Sequence, residues 1–236
     1  MRWSSACDTH PGNIREQNED AVLSLSGSGF WLVADGMGGH ADGDYASDAI
    51  VQSLAEVTLT HDLCDCVDAI EDRLLEVNDH LRRQARVQGE GRTIGSTVVA
   101  MVAREGVGVA LWAGDSRLYR LRRGRMELIT RDHNPVADLL DRGAITEEEA
   151  LDADTHVVTR AVGGQPDLHL DVVVFDIQAD DTLLLCSDGL YREVDLEVIR
   201  GALEGEVEAA VEELMIRCLE GAARDNVSVV VTRAVP

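Results

Sequence analysis

Nine short runs rich in β-branched and aromatic residues, most of them closed by Gly, Asp or Asn, constrain this chain more than any other feature. They lie at 20–25 ("DAVLSL"), 29–34 ("GFWLVA"), 96–103 ("STVVAMVA"), 106–113 ("GVGVALWA"), 117–122 ("RLYRLR"), 126–129, 169–177 ("HLDVVVFDI"), 181–187 ("DTLLLCS") and 227–233 ("VSVVVTR"). Several follow one another at turn distance, and "RRGR" at 122–125 has the chemistry of a hairpin turn. Helical periodicity is confined to about 44–57, about 65–87, 195–203 and 206–221. Strands in hairpin succession, without strict βαβ alternation, predict an antiparallel α+β layered domain rather than a doubly wound parallel sheet.

No Pro/Gly/Ser-rich linker, fixed-period repeat or low-complexity segment divides the 236 residues, so a single domain over 1–236 is expected. The formal net charge of −23, from 44 acidic and 21 basic residues, argues against a nucleic-acid binder. It suits a soluble protein and equally suits carboxylates grouped to hold cations. The opening "MRWSSACDTHPGN" contains no signal-like apolar run, and no later run approaches membrane-spanning length. The five cysteines are an odd set without a CxxC pair, and Cys64 and Cys66 of "CDC" point to different faces of a helix. A reduced, cytoplasmic protein is the expectation. A monomer is also expected, with no exposed apolar heptad to demand a partner.

Between strands, 131–166 is a long polar excursion. It contains a short helix-like piece ("PVADLLDRGA") and a capping-box-like "TEEEA". An insertion of this length is often a functional flap.

Five aspartates share one context. Asp20 precedes a strand, Asp35 ends "WLVAD", Asp115 ends "ALWAGD", Asp188 ends "TLLLCSD", and Asp225 stands just before the last strand. Singly, each reads as an ordinary turn residue, and Asp35-Gly36 and Asp188-Gly189 are turn dipeptides. Together they place five carboxylates at strand mouths, where a rigid element can hold a metal or catalytic site. Hard cations such as Mg²⁺ or Mn²⁺ take oxygen ligands, and Gly36 would let its carbonyl approach one unhindered. With no HxH or HExxH pattern, zinc fits less well.

On these residues the chain resembles the bacterial members of the metal-dependent protein phosphatase 2C family. The resemblance is carried by "GNIREQNEDA" (12–21), "VADGMGGHADGDYAS" (33–47), "GSTVV" (95–99), "AGDSRLYRL" (113–121), "RDHN" (131–134), "VVTRAVG" (157–163), "LLLCSDGL" (183–190) and "RDNVSVVV" (224–231). These stand in the family's order and span about residues 8 to 233. The resemblance implies two antiparallel β-sheets packed as a central sandwich with helix pairs on both faces.

It also implies a protein serine/threonine phosphatase, with a water bridging two Mg²⁺ or Mn²⁺ ions attacking phosphorus directly. By resemblance, Asp35, Asp188 and Asp225 ligate the first ion. Asp35 and Gly36 hold the second, with Asp20 acting on its waters. Asp115 and Asp188 supply a third, weaker site. Arg15 matches the family's phosphate-binding arginine. A lone turn arginine is otherwise simply solvated. His40 is the candidate general acid, against a plain hydrogen-bonding role. Asn226 would orient water, against an ordinary Asx turn. The 131–166 segment corresponds to a flap beside the site. Phosphorylated proteins are the expected substrates, and a Ser/Thr kinase pathway the expected counterpart. Departures are few: His10 where relatives are often acidic, "IGST" for Met-Gly-Thr-Thr, and Asn134 for Ser.

Two other readings compete. A non-catalytic signalling module would be expected to lose one of Asp35, Asp188 or Asp225, and all are present. A hydrolase of small phosphate esters remains open, without a Walker-type loop to support it.

Overall fold

Apolar runs such as "FWLVA" leave no polar face, so the strands that carry them must be covered on both sides. The computed structural model, which describes residues 1–38, 41–89, 91–146, 149 and 157–235, shows how. One sheet has five strands in the order β1 (Arg2–His10), β11 (Val227–Val235), β10 (Thr182–Cys186), β7 (Arg117–Arg122), β8 (Arg125–Leu128). The other runs β2 (Asp20–Leu25), β3 (Phe30–Met37), β5 (Val98–Arg104), β6 (Val107–Ala113), β9 (Asp171–Asp176), with the two-residue β4 (Gly95–Ser96) also on β3. The ladder pairings are antiparallel.

Three buried layers follow from strand alternation. Trp31 and Val33 of β3, Val99 and Met101 of β5, Leu183 and Leu185 of β10 and Val230 of β11 fill the space between the sheets. The alternate residues Phe30, Leu32 and Ala34 face α1 (Ala41–Ala55) and α2 (Leu63–Gln88), meeting Ile50, Leu54, Ile70, Leu74 and Leu81. On the opposite side Leu184, Cys186, Val229 and Val231 face Ile199, Leu214 and Met215. Those three belong to α5 (Leu196–Ala202) and α6 (Val207–Glu220). The expected sandwich with helices on both faces is therefore the architecture.

The "RRGR" hairpin is also found, with Arg123 at φ 52° and Gly124 at φ 76°, the left-handed pair of a type I′ turn. All five cysteines are free, with Cys64 exposed and Cys66 buried. The Asp62 carboxylate caps α2, accepting from the Cys64 and Asp65 N–H groups. No helix among the described residues is long and apolar enough to cross a membrane.

Three features differ from expectation. β1 was not expected, because its residues are polar and half-exposed. It exists by pairing Arg2 with Val235 and His10 with Val227, across nearly the whole chain. The 96–103 run is interrupted at Thr97, whose N–H leaves the ladder to donate to the Asp35 carbonyl at 2.8 Å. After β10 comes an unforeseen single turn, α4 (Asp188–Tyr191).

The described part of 131–166 holds α3 (Pro135–Asp141), capped by Asn134, whose Oδ1 accepts the Ala137 N–H at 2.8 Å. The expected capping box is present: Glu149 accepts from the Thr146 N–H and Thr146 Oγ1 accepts from the Glu149 N–H. Residues 147, 148 and 150–156 of this segment lie outside the described residues.

Candidate metal centre

The site begins with a strand register that is unfavourable on its own. Asp20 opens β2 and lies directly opposite Asp35 of β3. Like charges facing each other across two strands destabilise the pair. Burial makes it worse, because Asp20 is only 6% exposed. Its Oδ2 accepts the Ser187 hydroxyl at 2.7 Å, but its Oδ1 is buried with no hydrogen-bond partner. A carboxylate oxygen in that position is stranded unless a cation meets it.

The surrounding backbone holds Asp35 firmly. Thr97 Oγ1 accepts the Asp35 N–H at 3.3 Å and also contacts Ser116 Oγ at 2.7 Å, tying β3 to the loop that carries Asp115. Gly36 donates its N–H to the Glu19 carbonyl at 2.9 Å. A Cβ on Gly36 would lie 2.0 Å from the Gly43 carbonyl oxygen and 2.6 Å from that of Glu19. The glycine is thus required by the close approach of two backbone segments, a reason beyond the carbonyl access expected from sequence. The same holds at Gly189, where a Cβ would fall 2.0 Å from the Asn226 carbonyl oxygen.

Strand ends bring the other carboxylates to the same cleft. Asp188 follows Ser187 at the end of β10. Ser187 Oγ, besides donating to Asp20, accepts the Ser228 N–H at 3.0 Å, so one hydroxyl joins β2, β10 and β11. Asp115, 2% exposed, sits between β6 and β7. Tyr191 donates its hydroxyl to the Asp115 carbonyl at 2.9 Å. His133 grips the preceding residue twice: its Nδ1 accepts the Gly114 N–H and its own N–H donates to the Gly114 carbonyl.

The electrostatics report the crowding. Burial, reinforced by the charges of Asp20, Asp188, Asp115 and Asp225, holds the Asp35 carboxyl well above its ordinary range. Burial pushes Asp20 up to about 7, with Asp188 and Asp225 adding to the rise against hydrogen bonds from Ser187 and Ser228. Asp115 rises to about 7, mainly through burial and then Asp188 and Asp132, while Arg192 opposes. Four of the five aspartates thus raise the pKa of Asp35, as expected if all five share one cleft.

The carboxylates are not drawn into one tight cage. Among the described residues no three His, Cys, Asp or Glu side chains form a single metal-sized cluster. Asp225 pairs with Arg15 at 3.0 Å, Asp188 with Arg192 at 2.8 Å, and Asp20 with Ser187. The donor set at Asp20, Asp35, Asp188 and Asp225 nevertheless suits hard divalent cations. It is made of oxygens, in excess of negative charge, with one buried oxygen unpartnered. The Asp115–Asp188 pair is different, because the Arg192 guanidinium already reaches both.

Of the remaining expected residues, Arg15 is half-exposed at the rim, its guanidinium on Asp225. Asn226 is buried, and its amide is committed to main chain. Oδ1 accepts the Glu19 N–H at 2.8 Å, and Nδ2 donates to the Pro11 and Gln17 carbonyls. Its contribution is to fasten the 11–19 loop that carries Arg15 and leads into Asp20. His40 lies outside the described residues. Sequence reasoning missed Ser187, Thr97 and Arg192. Only Arg192 left a signal, an Asp–Arg spacing of i,i+4 after Asp188.

Comparison with known proteins agrees with this geometry. A family model described as protein phosphatase 2C matches residues 14–226.

The chain belongs to the protein phosphatase 2C family.

The serine/threonine protein phosphatase PstP of Mycobacterium tuberculosis is 33% identical over 238 residues, covering 100% of this chain. The chain spans only 45% of the length of PstP. The serine/threonine phosphatase stp of Listeria welshimeri is 34% identical over 194 residues, 79% of this chain and 77% of that protein. Among solved structures, PppA of Pseudomonas aeruginosa superposes with a TM-score of 0.92 at 40% identity, over 99% of this chain and 98% of that one. The catalytic domain of PstP in complex with two manganese ions gives 0.86 at 34% identity, over 99% of both chains.

Proposed function

We propose that this protein phosphatase 2C domain, working as one catalytic unit over 1–236, is a Mg²⁺- or Mn²⁺-dependent phosphatase of phosphoserine and phosphothreonine in proteins. The observation that carries the reading is the Asp20–Asp35 pair: two carboxylates opposed in register, one with a buried, unpartnered oxygen. Asp20, Asp35 with the Gly36 carbonyl, Asp188 and Asp225 would hold two cations. When bound, such ions acidify water and neutralise charge building on a phosphoryl group.

The chain's own residues do the rest. The Arg15 fork, at the exposed rim, is suited to two phosphoryl oxygens, and its link to Asp225 keeps it beside a carboxylate that would hold a cation. Asn226 and Ser187 keep Asp20 and the Arg15 loop in register with β11. His40 is assigned the proton delivered to the leaving serine or threonine oxygen, a role worth ~10²–10⁴-fold where the leaving group is poor. The 131–166 segment is assigned substrate selection. The biological counterpart is a Ser/Thr kinase whose products this enzyme dephosphorylates, in the cytoplasm and as a monomer.

The direct test is hydrolysis of a phosphothreonine peptide with Mn²⁺, with Mg²⁺ and in excess EDTA, beside a phosphotyrosine peptide. The expected result is turnover of phosphothreonine that vanishes in EDTA and returns with either ion. Full turnover in chelator, or equal turnover of phosphotyrosine, refutes the assignment.

A further inference from the structure

Arg192 is the residue whose position the family resemblance does not account for. It is the fourth residue after Asp188, directly following the single turn α4, and its N–H donates to the Asp188 carbonyl at 3.0 Å. That turn puts both side chains on one face. Arg192 Nε lies 2.8 Å from Asp188 Oδ2, and its Nη2 lies 3.6 Å from Asp115 Oδ2. One guanidinium therefore spans the two carboxylates expected to make a third cation site.

The guanidinium is held there. Its side chain is only 21% exposed, so it cannot swing freely into solvent. The neighbouring Tyr191 fastens the Asp115 backbone through its hydroxyl. The Tyr191 ring is in turn covered by the Arg117 guanidinium at 3.6 Å, and Arg117 is anchored by two bonds to Asp132. Asp115, Tyr191 and Arg192 thus form one fixed unit.

From this geometry we infer that Arg192 is a built-in cation that takes the place of a third metal ion, so that the loaded protein binds two ions and not three. The inference rests on the proposed two-cation reading of Asp20, Asp35, Asp188 and Asp225. A guanidinium carries one positive charge and five N–H donors in a fixed fork, which suits two carboxylates without displacing water from an ion. A divalent ion brought to Asp115 and Asp188 would meet that charge at contact distance and would have to break both pairs. Arg192 is a positioning residue here, acting on Asp115 and Asp188, and no reacting atom is assigned to it.

The test counts bound Mn²⁺ by equilibrium dialysis and calorimetric titration of the full chain, with circular dichroism to verify folding. Wild type should bind two ions. Arg192→Ala should bind a third, at least ~10-fold more tightly than any third ion of wild type. Arg192→Lys, which keeps a cation on the same stem, should stay at two. Arg192→Ala combined with Asp115→Asn should return to two, because the vacated carboxylate pair is broken. Three ions on wild type, or two on a folded Arg192→Ala, overturn the inference while leaving the two-cation reading intact. Three ions on wild type overturn the inference even if Arg192→Ala does not fold, and a third ion on Arg192→Gln would then carry the support that Arg192→Ala could not give. No tight ion on wild type sinks the proposed function itself, and this inference with it.

Discussion

Asp20→Asn should make the chelated protein more stable while depriving it of activity. The carboxyl of Asp20 is pushed from an ordinary 3.8 to about 7 by its burial and its neighbours. At 1.36 kcal/mol per pH unit that gap corresponds to about 4 kcal/mol of destabilisation once the group is charged. The sign follows from proton counts. Between 3.8 and about 7 the folded chain holds the proton and the unfolded chain releases it, so stability falls as pH rises across this window. The full penalty is present above it. Asparagine removes the charge and still accepts the Ser187 hydroxyl, but its amide group enters a buried position with no partner, at a cost of about 1–3 kcal/mol. The expected net gain in EDTA at about pH 8 is therefore about 1–3 kcal/mol, or about 2–4 °C in Tm per kcal/mol for a chain of this size. Near pH 4 the gain should disappear. With saturating Mn²⁺ the order should reverse, since wild type then gains binding free energy that the variant has weakened. Thermal and guanidinium melts of both proteins at the two pH values, with EDTA and with Mn²⁺, give all the comparisons. A variant less stable than wild type in EDTA at pH 8 would refute the idea that Asp20 is electrostatically frustrated.

Gly36→Ala should destabilise the fold by about 1–3 kcal/mol or more and cut phosphopeptide turnover with Asp35 still present. The added methyl meets backbone oxygens of Gly43 and Glu19 that cannot rotate aside, and a urea midpoint equal to wild type would contradict this. Arg15→Ala should raise KM for both a phosphopeptide and p-nitrophenyl phosphate with a smaller fall in kcat, and a fall in kcat alone would remove it from phosphate binding. His133, 2% exposed and stacked on Trp112, has its pKa lowered below 6.5 chiefly by burial, against the hydrogen bond that its Nε2–H donates to the Asp171 carboxylate. Its unfolded form therefore binds more protons just below pH 6.5, and its share of stability is lost as pH falls through its folded pKa. His133→Gln should flatten the acid limb of Tm against pH, and an NMR titration placing His133 above 6.5 would refute the assignment.

What could be read from the amino-acid order alone was whatever is encoded locally. The strands at 20–25 and 117–122 carry the right residue types and turn boundaries, and both lie where expected. The two long amphipathic segments likewise became α2 and α6, because an apolar stripe can be seen within a single helix. The aspartates could be singled out because each ends or precedes an apolar run. The protein phosphatase 2C motifs named them before any distance was known.

What depended on distant partners could not be read. β1 is polar and becomes a strand only because β11, more than 200 residues away in sequence, offers it a ladder. Thr97 looks like part of a continuous strand until its N–H is drawn to Asp35. Gly36 and Gly189 look like turn glycines, yet the close approach of Gly43 and of Asn226 is what excludes a side chain. Asn226 looks like a group for the site and instead fastens a loop. Arg192 looks like a surface charge and instead spans Asp115 and Asp188, two residues 73 apart in the chain. Residue type and spacing decide which groups are available and which face they take on their own element. Only packing three layers against one another decides which charges meet, and a charge has no defined pKa, partner or role until its neighbours are in place.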